Sequence, residues 1–520
     1  MIPLINGIVD RPEFRNMFRI MSSHDAVNLI KDSACIGINS FLALANPNAL
    51  HAALAERIER TGSPNGLTLF CAAGFGGWDE EMFADRYVRL GAVKKVIASH
   101  FMSTPTVMKK IAANEIEGYC IPLGVLSHMT RSAAAGRDKH FTKVGLNIFV
   151  DPRLDGPSLN ERSKDVLVTL VEIEGEDYLS YRTPKLDVAF IKGTTVDPNG
   201  NISFENENVT VDALALAQAV KNNGGTVIVQ VEKVSHVFAR PRNVIVPGIL
   251  VDAVVVCEEV PEIQRVNPIL TGDVHVPPTQ MDFWASKLAV SGKMGSDVPD
   301  STSDIIGKRA AKELKSGDVV NIGIGIPELV GKYASQLGIL KDVNLTVEAG
   351  GVGGLPAPGV TFGATIGSDM ICDMASQFDF YDGGGLDICF MGAIEVDRHG
   401  NVNAHEMGNR FAGIGGFANI TGKAKTVVFC MSFTAKGLSV SEKNGKVKID
   451  KEGEFSKFKT DILGISFSAE NAMRNGQRVL YVTERCVFQL TENGLKLLEV
   501  YKGIDRKKHI LDVLDFDLVS

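Results

Sequence analysis

The chain has 520 residues, of which 45% are apolar, 22% charged and 7% aromatic, with 52 glycines and a formal net charge of −8. These fractions belong to folded domains, so disordered, collagen-like and coiled-coil chains are excluded, and the length suits roughly two to four domains. The negative balance offers no field to hold nucleic acid or an anionic membrane.

The run Met1-Ile2-Pro3-Leu4-Ile5-Asn6 has no basic region followed by a long apolar stretch, so no secretory signal is expected. Residues 23–31 carry an Ala26/Leu29/Ile30 stripe that predicts a helix, leading into a strand over Cys35-Ile36-Gly37-Ile38. A second apolar strand, residues 67–70, opens onto Gly74-Phe75-Gly76-Gly77. Residues 244–257 are β-branched but broken by Pro247, Gly248 and Asp252, which reads as two buried strands around a turn and not as a membrane span. A linker is expected at 276–299, which contains Pro277-Pro278 and a Ser/Gly-rich run. Beyond it, 303–315 predicts a helix with Ile306, Ala310 and Leu314 on one face and Gly317 as its stop, followed by a strand over 319–322. The eight cysteines are scattered without Cys-x-x-Cys, which suits reduced core residues and a cytoplasmic chain. No metal site is expected, because His399, His405 and Glu406 lack ligand spacing.

An internal repeat organises the chain. Leu186, Asp187, Phe190, Val196, Asp197, Gly200 and Asn201 recur without gaps, 200 residues on, as Leu386, Asp387, Phe390, Val396, Asp397, Gly400 and Asn401. Each copy reads as a strand, a tight Asp-x-x-Gly-Asn turn and a second short strand. Earlier in each half the echo is fainter: 67–77 parallels 345–354 at a different offset, which sets Phe70 opposite Glu348. Strands alternating with helices predict an α/β fold of two tandem related domains, each a mainly parallel sheet flanked by helices. The boundaries are 1–275 and 300–520.

Glycine clusters at strand ends mark where open α/β sheets take ligands. The second half has them at Gly323/Gly325, Gly350-Gly351-Val352-Gly353-Gly354, Gly383-Gly384-Gly385 and Gly413-Ile414-Gly415-Gly416. No Gly-Lys-Ser/Thr follows any of them, so none is a P-loop. Glu348 ends an apolar strand and opens directly onto Gly350-Gly351. Spacing alone allows a solvated strand-end glutamate as readily as a nucleophile set among backbone donors.

The motifs together are recognisable. Asn321-Ile322-Gly323-Ile324-Gly325-Ile326-Pro327, Thr346-Val347-Glu348-Ala349-Gly350, Ser376-Gln377-Phe378-Asp379-Phe380-Tyr381 with the following Gly-Gly-Gly-Leu-Asp, and Gly413-Ile414-Gly415-Gly416-Phe417 resemble family I CoA-transferases. The likeness extends to Phe149-Val150-Asp151-Pro152-Arg153 and to residues 479–485, and is greatest for the single-chain propionate/acetate type, with fused α-like and β-like halves. The resemblance implies CoA transfer between a short-chain acyl-CoA and a free carboxylic acid through a thioester on Glu348. It also implies that Asn321 lies near the nucleophile, that the Gly413 loop gives a backbone oxyanion donor, and that Gly350 and Gly351 keep the approach open. Gly323, Gly325, Gly384, Gly385, Gly415 and Gly416 are then expected to contact CoA. Coenzyme A enters as a substrate; no permanent cofactor is implied, and the expected assembly is a homotetramer.

One triplet departs from the family. The usual Pro-Gln-Gly, whose amide is a second oxyanion donor, is here Pro122-Leu123-Gly124. Loss of such a donor costs ~10²–10³ in rate. Asn39 and Ser40, in an altered glycine loop, are the candidate substitutes. Two other activities stay open on the same fold: an acyl-CoA hydrolase, and a non-catalytic protein sensing acyl-CoA or a sugar phosphate.

Overall fold

The computed structural model describes residues 18–257, 300–357, 359–408 and 410–519. The N-terminal run and the expected linker at 276–299, with residues 258–275 before it, lie outside the described residues.

The first domain is built on an eight-stranded sheet in the order 19–20, 253–256, 226–231, 188–192, 35–38, 67–70, 93–98, 117–120, every pair parallel. Parallel strands are covered on both faces, which explains continuous apolar runs in place of alternation. All five residues of Val188–Lys192 and all four of Cys35–Ile38 are buried.

In the second domain five parallel strands run in the order 344–346, 319–322, 388–392, 426–430, 478–482. Antiparallel strands extend both ends, Gly351–Val352 and Met370–Ile371 on one side, Cys486–Thr491 and Gly494–Val500 on the other. The architecture is two tandem α/β domains with mainly parallel sheets. The helix expected over 23–31 spans Ser23–Val27, and that expected over 303–315 spans Asp300–Ala310 and a 3₁₀ turn before Gly317 reverses the chain at φ +89°.

The repeat is visible atom by atom. Asp197 Oδ1 accepts the backbone N–H of Asn199 and of Asn201, and Asp397 Oδ1 accepts those of His399 and Asn401. Gly200 and Gly400 close the two turns at φ +78° and +90°, a region that favours glycine. These bonds explain why Asp, Gly and Asn recur while the residues between them do not.

The ladders also correct the alignment of the earlier strands. Gly37 pairs with Ala189 and Asn321 with Cys389, its counterpart, so Gly37 and Asn321 are equivalent. Gly37 next pairs with Phe70, and Asn321 with Thr346. Phe70 therefore corresponds to Thr346, and the counterpart of Glu348 is Ala72, not Phe70. Similarity between the glycine-rich tails had slid the comparison by two residues; hydrogen-bond register decides it.

The domains meet along the loop before helix Phe417–Lys423, which runs against the end of strand Val93–Ala98. Phe101 N–H donates to the Ala412 carbonyl at 3.0 Å and Gly415 N–H to the Ser99 carbonyl at 2.9 Å. Nearby, Arg131 forms ion pairs with Asp373 and Asp379, each at 2.8 Å.

Candidate active site

Strand Asn344–Thr346 turns back on Gly351–Val352 through Val347-Glu348-Ala349-Gly350. The Val347 carbonyl accepts Gly350 N–H at 3.0 Å and Val347 N–H donates to the Gly351 carbonyl at 2.8 Å, so Glu348 stands at the corner of a tight turn. Gly350 has φ +114°, and a Cβ there would collide with the Cys372 carbonyl, so only glycine closes the turn. Gly351 lies in the returning strand against the Thr365 side chain.

Glu348 is 8% exposed. Burial raises its pKa above the ordinary glutamate value, opposed by its own backbone N–H and by the Asn321 side chain. Such a carboxylate is poorly solvated, which strengthens it as a nucleophile when ionised.

A polar bracket supports the turn from below. Asn321 Nδ2 donates to the Thr346 carbonyl at 3.2 Å and to Tyr381 Oη at 3.3 Å. Tyr381 Oη donates to Thr346 Oγ1 at 2.9 Å, and that hydroxyl donates to the Val320 carbonyl at 3.0 Å. Asn321 thus lies beside the turn that carries Glu348. Tyr381 sits in a motif quoted from the sequence, yet nothing in its spacing marked it as part of the site; the helix Met374–Asp382 delivers it through tertiary packing.

The glycine loops separate into two groups. Gly323 and Gly325 follow the C-terminal end of strand Val319–Ile322, the same edge as Glu348. Gly325 is exposed at φ +86° with open space around its α-carbon. Gly416 is closer still: a Cβ there would lie 3.6 Å from Glu348 Cγ and 3.3 Å from Phe378 Cζ. Gly384 and Gly385 instead precede strand Ile388–Gly392, at the opposite end of the sheet. Gly384 N–H donates to the Tyr381 carbonyl and Gly385 N–H to that of Phe380, so this cluster is a helix-to-strand turn at the end of the sheet away from Glu348.

The expected oxyanion donors are also rearranged. Gly413 N–H is spent on the His405 carbonyl at 3.2 Å. In the same loop Gly415 N–H is spent on Ser99, whereas Gly416 N–H has no hydrogen-bond partner among the described residues. Asn39 and Ser40 are both committed: Asn39 Oδ1 accepts Asp212 N–H, Asn39 Nδ2 donates to the Thr210 carbonyl, and Ser40 Oγ donates to the Gly74 carbonyl. Of the two, Asn39 Nδ2 keeps a second hydrogen beyond the bond to Thr210. Leu123 is buried, and its N–H donates to the Gly415 carbonyl at 2.9 Å, which places it on the wall next to Gly416.

The model of the Coenzyme A transferase family matches residues 20–257 and 304–504. The chain belongs to this family. It is 38% identical over 511 residues to the caffeate CoA-transferase of Acetobacterium woodii, covering 96% of this chain and 94% of that protein. It is 37% identical over 517 residues to the acetate CoA-transferase YdiF of Escherichia coli K12, covering 98% and 94%. The crystal structure of YdiF apoenzyme from Escherichia coli O157:H7 superposes with a TM-score of 0.86 at 36% identity, covering 97% of this chain and 94% of that one. Its thioester complex with CoA superposes with a TM-score of 0.87, covering 98% and 95%. Two tandem domains, CoA-transferase chemistry and a full-length match therefore agree. Among the described residues no helix is long and apolar enough to cross a membrane.

Proposed function

We propose that the chain moves CoA between a short-chain acyl-CoA of the acetate/propionate class and a free carboxylic acid, with Glu348 as the covalent nucleophile. One observation carries this reading: a buried carboxylate stands on a glycine-closed turn in the domain that has it, and the repeat sets Ala72 in its place in the other. The fold does not require the carboxylate; the reaction does.

Glu348 attacks the thioester carbonyl, forming a carbon–oxygen bond and expelling CoA as the thiolate. The thiolate attacks the glutamyl carbonyl of the resulting anhydride, which releases the first acid and leaves a glutamyl-CoA thioester. An acceptor carboxylate then attacks that thioester and expels CoA, and the thiolate attacks the new acyl carbonyl, regenerating the Glu348 carboxylate. Thioester is exchanged for thioester, so no ATP is consumed. Asn321 steadies the carboxylate, Gly416 N–H is an unspent backbone donor beside Glu348 for the developing oxyanion, and Gly323, Gly325 and Gly415 line the CoA approach. Supporting the substrate class is the likeness to YdiF, named for acetate; the other relative is named for caffeate. We place the enzyme in the cytoplasm as a homotetramer, with domains 1–275 and 300–520 joined by 276–299.

The test is covalent capture. Acyl-CoA without an acceptor acid leaves CoA on the protein, its intact mass raised by one CoA less one water, on the peptide containing Thr346-Val347-Glu348-Ala349. Glu348→Ala abolishes both adduct and turnover. An adduct elsewhere, or transfer by Glu348→Ala at the wild-type rate, removes the assignment.

A further inference from the structure

Gln377 and Tyr381 lie four residues apart on helix Met374–Asp382, so they share one buried face. Tyr381 holds the strand on the near side of Glu348, through Thr346 and Asn321. Gln377 reaches the far side. Its Oε1 accepts from Cys372 Sγ at 3.5 Å; the same thiol lies 3.4 Å from the Gly350 carbonyl, and Cys372 N–H donates to that carbonyl at 2.9 Å. The other end of the amide, Nε2, is buried without a hydrogen-bond partner among the described residues.

A buried amide with an unpaired donor is costly, and an apolar side chain of similar length would avoid that cost. The first domain shows what the fold does without a nucleophile. There the counterparts of Asn321 and Thr346 are Gly37 and Phe70, and Leu216 Cδ1 occupies the space, 2.5 Å from where a Gly37 Cβ would lie. The polar bracket exists only in the half that carries Glu348.

We propose that Gln377 is a positioning residue for CoA transfer: with Tyr381 it braces both flanks of the turn that carries Glu348, holding the carboxylate on line through the displacement steps. The inference rests on Glu348 as the nucleophile. It assigns Gln377 no contact with substrate; Gln377 acts through Cys372 and Gly350 on one flank, while Tyr381 acts through Thr346 and Asn321 on the other.

The test uses the full-length enzyme and single-turnover capture of CoA on Glu348. Gln377→Met keeps the length of the side chain and removes both ends of the brace. A misplacement of order 1 Å costs ~10²-fold, so kcat and the rate of adduct formation fall ~10–100-fold, with KM for acyl-CoA within about twofold and the melting temperature not lowered. Tyr381→Phe keeps the ring and removes the hydroxyl that anchors Asn321. It lowers kcat and moves the acid limb of the pH–rate profile to higher pH, which loss of packing alone does not do. If Gln377→Met does not fold, Tyr381→Phe decides. Wild-type rates in the folded variants, or a slower rate matched by an equal loss of folded protein, overturn the brace. A wild-type enzyme that forms no adduct at Glu348 overturns instead the functional reading beneath it.

Discussion

Leu216 and Gly416 stand 200 residues apart, the offset of the repeat, and where Leu216 Cδ1 packs against Gly37, Gly416 leaves space beside Glu348. In the first domain Leu216 lines a small cavity with Asn39, Phe70 and Ala72. In the second, Gly416 leaves space to the carboxylate, whose Cγ would be 3.6 Å from an added Cβ.

Gly416→Leu fills that space and closes the site. The residue has φ −80°, so a side chain is tolerated by the backbone and the fold survives. The expected result is loss of the CoA adduct and of turnover with a circular dichroism spectrum like that of the wild type. Gly416→Ala, whose Cβ meets Ile420 and Phe378 at 3.2 and 3.3 Å, has the milder effect. Full activity in Gly416→Leu would show that the pocket opens elsewhere.

Gly350→Ala acts on the turn itself. The added methyl collides with the Cys372 backbone and the residue must hold φ +114°, so the loop shifts. The expected cost is on the order of 1–3 kcal/mol in denaturant unfolding, together with a fall in kcat. An unchanged unfolding midpoint would mean that the turn is not the one described.

Much of this site was legible in the sequence because it rests on local chemistry. The Asp-x-x-Gly-Asn turns, the strand before Glu348 and the glycine after it each follow from residue type and near neighbours. The pairing of Phe70 with Glu348 failed because glycine tails align by composition, whereas strand register is fixed by ladders between segments far apart in the chain. Gly384 and Gly385 precede the repeated strand in the sequence, whereas Gly323 and Gly325 follow theirs, and that order already separates the two groups. Tyr381 and Gln377 were passed over because their role depends on which loop their helix packs beneath.

Leu123→Gln tests the departure from the family. Its backbone N–H donates to the Gly415 carbonyl, and an amide side chain at this position is expected to give the acyl oxygen a second donor. Turnover with acetyl-CoA and acetate is expected to rise. Stability falls, because an imperfectly paired buried amide costs about 1–3 kcal/mol. A lower melting temperature without a gain in rate would show that Gly416 N–H or another group already supplies what the reaction needs.

The raised pKa of Glu348 makes activity and stability pull in opposite directions as pH changes. With the Glu348 carboxylate as the proposed nucleophile, kcat/KM is expected to fall as pH drops through a value above the ordinary glutamate range. Stability has the reverse sign. Between the unfolded and folded pKa values the folded state binds more protons, so this group's contribution is fully present below the unfolded value and is lost as pH rises through the folded one. Wherever Glu348 is ionised, it is a buried charge that works against the fold. Glu348→Gln removes that charge and keeps the shape. It is expected to be inactive yet more stable by on the order of 0.5–2 kcal/mol at pH 7 to 8, the gain shrinking as pH falls toward 4.5. Paired thermal melts of the two proteins across that range measure it. A gain that grows on acidification, or a variant less stable than the wild type at neutral pH, would mean that the carboxylate is better solvated or better paired than its burial implies.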